Sequence, residues 1–542
     1  MVLKNSLNMV SEFFFLILHK FRNFYLNSSI YNKRISKTDD NTLNYKPSAG
    51  ILNCIIKYKN KPYNIDDYSF NSVWKNKNIN KNEYRKLHSF FWLFALNLKS
   101  SKKVTQSVLS NWIDENINYN PMNWEVDTLS KRVIAWISNS KLTYEESEED
   151  YKIKFNFIIK KQVNHLLNEI DRSEIISDKM IGCTAIILSG LSYQDEKYLN
   201  YGLNLLKKIC ISVFDGNGFT KSRNFRQLVF YFKYLILIRE FLKDSQTNVP
   251  EYLDEKIFYA GQAYNLIWQT TKNSYLFNGN HEDNYDELDS YLEQKGYKFK
   301  SNNFEIGGYT LLKNKNVSLM MDVGPSPERK FSNNFQSGAL SFEMFYNKEK
   351  IISNSGFFQA STHQLNKISR SSASHSTLVI DNSSICKFKK GNGGDYTLEG
   401  SFKILSKNVT YKKDFWSVKA AHNGYQKKYN IIHQRELEFY PEKNLLKGKD
   451  SLVRKKNFRE VNFDIRFHLK PGTKITKTQN QSIILIEFEN SGWKFFSENY
   501  LIDIETGLYF GNKNKFSENQ NFYISGNIKN DKETVNWELV KI

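Results

Sequence analysis

Phe463-Asp-Ile-Arg-Phe-His-Leu469 is the stretch whose reading sets the fold class. Phe463, Ile465, Phe467 and Leu469 alternate with Asp464, Arg466 and His468, so an extended chain here has one apolar and one polar face. That period of two marks a strand with one side on a core. Short apolar or alternating runs recur at Tyr309–Leu312, Val317–Met321, Leu340–Tyr346, Thr377–Ile380 and Ile483–Phe488, with Asn, Gly and Ser between them. Regularly spaced strands with turn signals predict an antiparallel β-sandwich.

Working toward the N-terminus, the period changes near residue 300. Leu87–Leu98 reads as a buried helix, and Trp124–Ile137 shows apolar residues at helical spacing, with Trp136 near its end. Phe157–Ile170 is a further helix, Met180–Leu191 an apolar helix with small residues suited to a crowded interior, and Phe225–Leu242 is apolar on most faces. Helices in series followed by strands predict separate α and β domains. The divisions expected are an N-terminal extension over 1–45, a helical array over 46–300 and a β-sandwich over 301–542.

With 542 residues, the chain exceeds one ordinary core. Its formal net charge of +20 attracts polyanions, which admits nucleic acid, an anionic membrane or an acidic polysaccharide. No Lys/Arg block, zinc-finger spacing or RNA-binding aromatic motif supports nucleic acid. Cys54, Cys183, Cys210 and Cys386 are far apart with no CxxC pair, so neither a zinc knuckle nor a disulfide framework is indicated. Phe13–Leu18 is a short apolar run preceded by Glu12 and followed by Lys20 and Arg22, with no small-residue cleavage site. It reads as part of an amphipathic first helix, Phe13–Phe24, packing on the body in preference to a membrane. No run reaches the length of a transmembrane segment.

Several phrases in the second half carry a resemblance. Arg370-Ser-Ser-Ala-Ser-His375-Ser-Thr-Leu-Val-Ile-Asp381 comes first, then His422-Asn-Gly-Tyr425, His433-Gln-Arg435, Arg466-Phe-His468-Leu-Lys-Pro471, and Gly492-Trp493 with Leu508-Tyr-Phe-Gly511. In this order, between Arg370 and Gly511, they resemble the C-terminal domain of the heparinase II/III-like polysaccharide lyases. Asn164-His165-Leu-Leu-Asn-Glu169 and the Asp215-Gly-Asn-Gly-Phe219 turn are similar, more loosely, to that family's helical half. The resemblance implies an incomplete α/α toroid, then antiparallel β-sheets, with a substrate cleft between them.

It also implies a chemistry. Such lyases cleave beside a uronic acid by β-elimination: a base takes the C5 proton, donors neutralise the carboxylate, and an acid protonates the departing O4. By motif match, Asn164 and His165 hold the carboxylate and His375 is base or charge stabiliser. His375 sits in a serine-rich segment between turns, where a core role is hard to assign. Tyr425 is a supporting catalytic candidate, and Arg370, His422, Arg435, Arg466, His468, Arg223 and Asn224 are substrate-binding candidates. His422-Asn-Gly also fits a plain hairpin turn. One position departs from the pattern: Phe225 stands where the family carries a catalytic Tyr, and a phenyl ring transfers no proton. Either another residue such as His375 or Tyr425 moves the proton, or the chain binds glycan without cleaving it. No cofactor is indicated with certainty, and a structural divalent metal is the one allowed for. His375, Asp395 and His422 are chemically suited to a structural divalent ion, although their spacing forces no shared geometry. The implied partner is an acidic polysaccharide, and the implied place is the cell envelope or periplasm. The lack of a clear export signal leaves the cytoplasm as the alternative.

Overall fold

The computed structural model describes residues 18, 20–48, 52–53, 79–96, 100–300, 303–391, 394–454, 460–479 and 481–542. It divides into two compact units, residues 1–212 with 231–257, and residues 213–230 with 258–542. The second unit therefore includes 213–230 and 258–300 as well as the strands.

The first unit is an array of helices, among them Lys102–Asn116, Val126–Ser138, Glu149–Glu169 and Ile176–Tyr193. The helices expected at Trp124, Phe157 and Met180 are all present; the second begins eight residues earlier than expected, and the other ends shift by one to four residues. Ile176–Tyr193 needs its small residues: a Cβ on Gly190 would stand 2.6 Å from the Leu199 backbone nitrogen, and one on Gly182 2.5 Å from Ile170 Cδ1. Trp112 and Trp136 meet edge-to-face at 5.5 Å, with Phe90 5.1 Å from Trp136. The run Leu87–Leu98 is not one helix. Helix Lys81–His88, capped by Asn80, ends there, Phe90 turns through φ +56°, and Phe91–Ala95 continues as a 3₁₀ turn. Apolar residues on every side fix burial and leave the helical axis unspecified, so the run bends to bury Phe90, Trp92, Leu93 and Phe94. Residues 13–17 of the amphipathic first helix lie outside the described residues. Residues 20–26 are helical, and only Leu26 of their large apolar side chains is buried.

In the second unit all strand pairs are antiparallel. Five strands from Glu305–Ile306 to Glu349–Ile352 form one sheet in chain order. A sheet of eight is centred on Leu445–Arg454, flanked by Ile431–Tyr440 and Lys532–Lys541. A sheet of four holds Val461–Phe467 between Ser517–Ile528 and Leu378–Ile380. Phe342 from the first sheet, Phe495 and Trp537 from the second, and Phe467 and Phe522 from the third converge on one core. Phe342 stacks on Trp537 at 5.7 Å and Phe467 on Phe522 at 5.1 Å. Removing one such ring costs about 3–5 kcal/mol. Gly448 is required beneath it, because a Cβ there would lie 2.0 Å from the Trp537 indole.

Phe463, Ile465 and Phe467 are buried while Asp464 and Arg466 are partly exposed, as the alternation predicts. His468 departs from it: the strand ends at Phe467, and the His468 ring turns inward.

Candidate active site

The His375 loop is the centre of the second unit's polar interior. A short helix, Gln364–Ser369, leads through Arg370 into a 3₁₀ turn at Ser372–Ser374, and the strand Leu378–Ile380 follows. His375 is 1% exposed. Its Nδ1 lies 2.8 Å from the Ser371 carbonyl oxygen. A carbonyl only accepts, so Nδ1 carries the proton and donates, and Nε2 keeps its lone pair. That Nε2 is buried and has no hydrogen-bond partner among the described residues. Burial lowers the pKa to about 4, so the ring is neutral near pH 7. The ring fits only because position 338 is glycine: a Cβ there would stand 2.6 Å from His375 Cδ2 and 3.1 Å from Nε2.

Most of the motif residues around it bind the loop. Arg370 donates to Asn366 Oδ1 at 2.9 Å, to the Phe335 carbonyl at 3.0 Å and to the Asn333 carbonyl. His468 donates from Nε2 to the Ala373 carbonyl at 2.9 Å, and its Nδ1 accepts from the Ser355 hydroxyl at 3.1 Å. Burial lowers its pKa to about 3. The Tyr425 hydroxyl is buried 2.9 Å from the Leu378 carbonyl, and burial raises its pKa. Arg435 donates from Nη1 to the Leu340 carbonyl at 2.9 Å and to the carbonyl of Ser376, the residue after His375, at 2.7 Å.

Arg435 is itself fixed by a buried relay. Its Nε and Nη2 reach Asp450 at 2.7 and 3.1 Å. His433 Nε2 donates to the same carboxylate at 2.7 Å, and Trp537 Nε1 donates at 2.9 Å. His433 Nδ1 then accepts from His422 Nε2 at 3.3 Å, because His422 Nδ1 already accepts from the Gly424 N–H at 2.9 Å. Both histidines are held below their ordinary pKa by burial and are neutral. Burial alone would raise the Asp450 carboxyl; the Arg435 charge and the His433 hydrogen bond overcome it and hold it well below the usual carboxylate range. His422 thus sits in a hairpin connection and also ends this relay. Arg466 lies apart, paired with Glu505 and, at 3.3 Å, Asp464 on the partly exposed strand face.

A second group surrounds the start of helix Phe225–Asp244. Arg223, at φ +59°, is buried against Asp322 and the carbonyls of Gly307, Gly308 and Pro325 at 2.9–3.1 Å. It locks the loop. Asn224 caps the helix, its Oδ1 accepting from the Gln227 N–H at 3.0 Å. Its buried Nδ2 has no partner among the described residues. Phe225 stacks on Tyr264 at 6.4 Å and meets Tyr285 edge-on at 6.0 Å. Nearby, His281 Nδ1 lies 3.3 Å from both Arg226 Nη1 and Gln359 Nε2. Sequence reasoning missed this trio, since His281 follows an Asn-Gly turn without strand or helix periodicity. The two groups are joined by Gln336, which accepts from the Gly279 N–H at 2.9 Å and donates to the Gly356 and Ser369 carbonyls at 2.9 and 2.6 Å.

Asn164 and His165 lie in the first unit, on helix Glu149–Glu169. Asn164 Nδ2 donates to the carbonyls of Ile35 at 2.9 Å and Lys37 at 3.1 Å, while its Oδ1 accepts from Tyr198 at 2.8 Å. His165 Nδ1 accepts from the Tyr31 hydroxyl at 2.7 Å, and the ring also bonds the Trp124 backbone. Burial lowers its pKa to about 3. In this unit the pair fastens the N-terminal segment. No group of three or more His, Cys, Asp or Glu suited to a metal occurs among the described residues, so His375, Asp395 and His422 are not gathered into one.

Residues 298–538 match the family described as Heparinase II/III-like, C-terminal, and that part of the chain is such a domain. The chain as a whole resembles the heparinase II/III-like polysaccharide lyases. Its fold is similar to that of the heparan sulfate lyase HepC from Pedobacter heparinus, with a TM-score of 0.66 at 13% identity over 94% of this chain and 85% of that one. It is similar also to a heparinase III, with a TM-score of 0.68 at 14% identity over 94% and 88%. At such identities the likeness is one of fold: a helical α/α toroid part, then antiparallel sheets. A further relative, FtsZ-localized protein C of Caulobacter vibrioides, is 21% identical over 439 residues, 77% of this chain and 74% of that protein.

Proposed function

We propose that the chain is a polysaccharide lyase that cleaves uronate-containing acidic glycans by β-elimination, with His375 as the proton-transfer group. The observation that carries this is the state of the imidazole. Its Nδ1 proton is committed to Ser371, its Nε2 lone pair is uncommitted, and burial keeps it neutral. A neutral imidazole of fixed tautomer presents one lone pair that can accept a proton, and its low pKa returns that proton readily to a leaving oxygen. Nε2 takes the C5 proton; the C5–H electrons form the C4–C5 double bond as the C4–O4 bond breaks, and the same proton goes to O4. The Asn224 Nδ2 is an uncommitted donor of the type that a uronate carboxylate needs as its charge grows. Arg370, Arg435, His468 and Tyr425 are positioning residues for the loop. Asn164 and His165 are assigned to the N-terminal segment. The net charge of +20 supports an anionic partner, and a place at the cell envelope goes with such a substrate.

A specific observation favours a second reading, glycan binding or surface-polysaccharide assembly without cleavage: Phe225 offers no hydroxyl where the family's tyrosine is expected, and its ring is packed between Tyr264 and Tyr285. Incubating the protein with alginate, heparan, hyaluronan, chondroitin and an extract of the host's own surface glycan separates the two. Ultraviolet absorbance from the conjugated C4–C5 double bond means elimination. A flat trace on all of them, with glycan retained in a pull-down, means binding alone.

A further inference from the structure

The N-terminal segment is fastened along one side and bare along the other. Leu26, Tyr31 and Ile35 are buried, Arg22 pairs with Glu169, and Asn164 and His165 hold Ile35, Lys37 and Tyr31 as described above. On the opposite side Leu18 is 58% exposed, Phe21 69%, Phe24 79% and Ile30 72%. Residues 18 and 20–26 are helical. At helical periodicity Leu18, Phe21 and Phe24 share a stripe roughly 120° wide, turned away from Leu26. Large side chains exposed this far are ordinary when scattered and meaningful when contiguous.

Within the segment itself the charge has one sign, and Arg22 is spent on Glu169. Between Glu12 and Asp39 the sequence contains Lys20, Arg22, Lys33, Arg34 and Lys37 and no acidic residue. Lys20, Lys33, Arg34 and Lys37 are exposed. A protein partner of opposite charge would be met by cations alone, without an apolar ridge. A second copy would bring like charges together. Leucine and phenylalanine on one face with lysine and arginine at its margins match the interface of an anionic bilayer, where rings enter the acyl boundary and cations meet headgroups.

We propose that residues 18–37 dock this protein on the surface of an anionic lipid bilayer, lying in its plane without crossing it. No helix among the described residues is long and apolar enough to span a membrane, which fits surface docking. Asn164 and His165 then set where the docking helix leaves the body.

The test is flotation of the full chain with vesicles of phosphatidylglycerol and phosphatidylethanolamine, and with phosphatidylcholine alone. The expected result is flotation with the anionic vesicles, little with the zwitterionic ones, and a several-fold loss when salt is raised to about 0.5 M. Phe21→Ser with Phe24→Ser is expected to lower partitioning about tenfold or more. Ile211→Ser, which alters another exposed apolar residue of the first unit, leaves it unchanged. Thermal unfolding of each variant confirms that the body is folded. Equal flotation of the double variant, or no flotation of the parent chain, overturns the proposal. So does a dimer in light scattering that dissolves in the double variant without any vesicle binding, which would make the face a protein interface.

Discussion

Replacing Asp450 with Asn tests the relay behind the His375 loop. The carboxylate accepts from His433, from two nitrogens of Arg435 and from Trp537, and it is fully buried. An amide of the same shape turns an NH₂ toward one of these donors and leaves the Arg435 guanidinium buried without a counter-charge. Breaking one partner of a buried pair costs about 3–5 kcal/mol. For a unit of this size that is a fall in Tm of roughly 5–8 °C. Thermal and urea unfolding followed by circular dichroism measure it. Glu538→Gln, which removes the exposed pair with Lys447, is the control and shifts stability by less than about 0.5 kcal/mol. Asp450→Leu combined with Arg435→Met recovers much of the loss, because no charge is then buried unpaired. A loss below about 0.5 kcal/mol for Asp450→Asn refutes the reasoning, since the relay would then carry no load.

Gly338→Ala pushes a methyl into the His375 ring and is expected to lower elimination at least about 100-fold. Unfolding then checks that the unit still folds. Acid lowers stability in a defined window: buried His88, His165, His375 and His468 have pKa values of about 3 to about 4, below the ordinary value near 6.5. Between those values the unfolded chain binds more protons than the folded one, so Tm rises with pH from about 4 to about 6.5 and levels above it. A flat profile across that window would contradict the burial of these rings. Asn164→Ala removes the bonds to Ile35, Lys37 and Tyr198, and trypsin is expected to cut at Lys33, Arg34 or Lys37 several-fold faster. Unchanged cleavage would mean that Asn164 does not hold the segment.

The two halves were legible because their periodicities differ, and each strand expected from an alternating run lies within two residues of its observed position. The central strands of the eight-stranded sheet were not picked out. In Ile431–Tyr440 the inward positions are Ile431, His433, Arg435, Leu437 and Phe439, so the core face itself carries a histidine and an arginine. Alternation of apolar and polar residues is blind to a charge buried with its counter-ion. The same feature explains the site. The motifs drew attention to the His375 loop, but side chains such as Arg435 and His468 looked like surface donors in sequence, and both are spent inside on carbonyls. Asn164 and His165 carry chemistry-bearing groups at helical spacing; which segment satisfies them is a long-range contact, more than a hundred residues away, that spacing does not encode.

The most direct measurement is the rate at which the conjugated double bond appears on the best uronate substrate, for the parent chain and for His375→Ala at equal folded concentration. The expected result is a measurable rate in the parent that falls by at least about 100-fold in the variant, with glycan retention in the pull-down kept. An unchanged rate in His375→Ala would contradict His375 as the proton-transfer group, and no product from the parent on any substrate, with glycan still bound, would contradict a lyase.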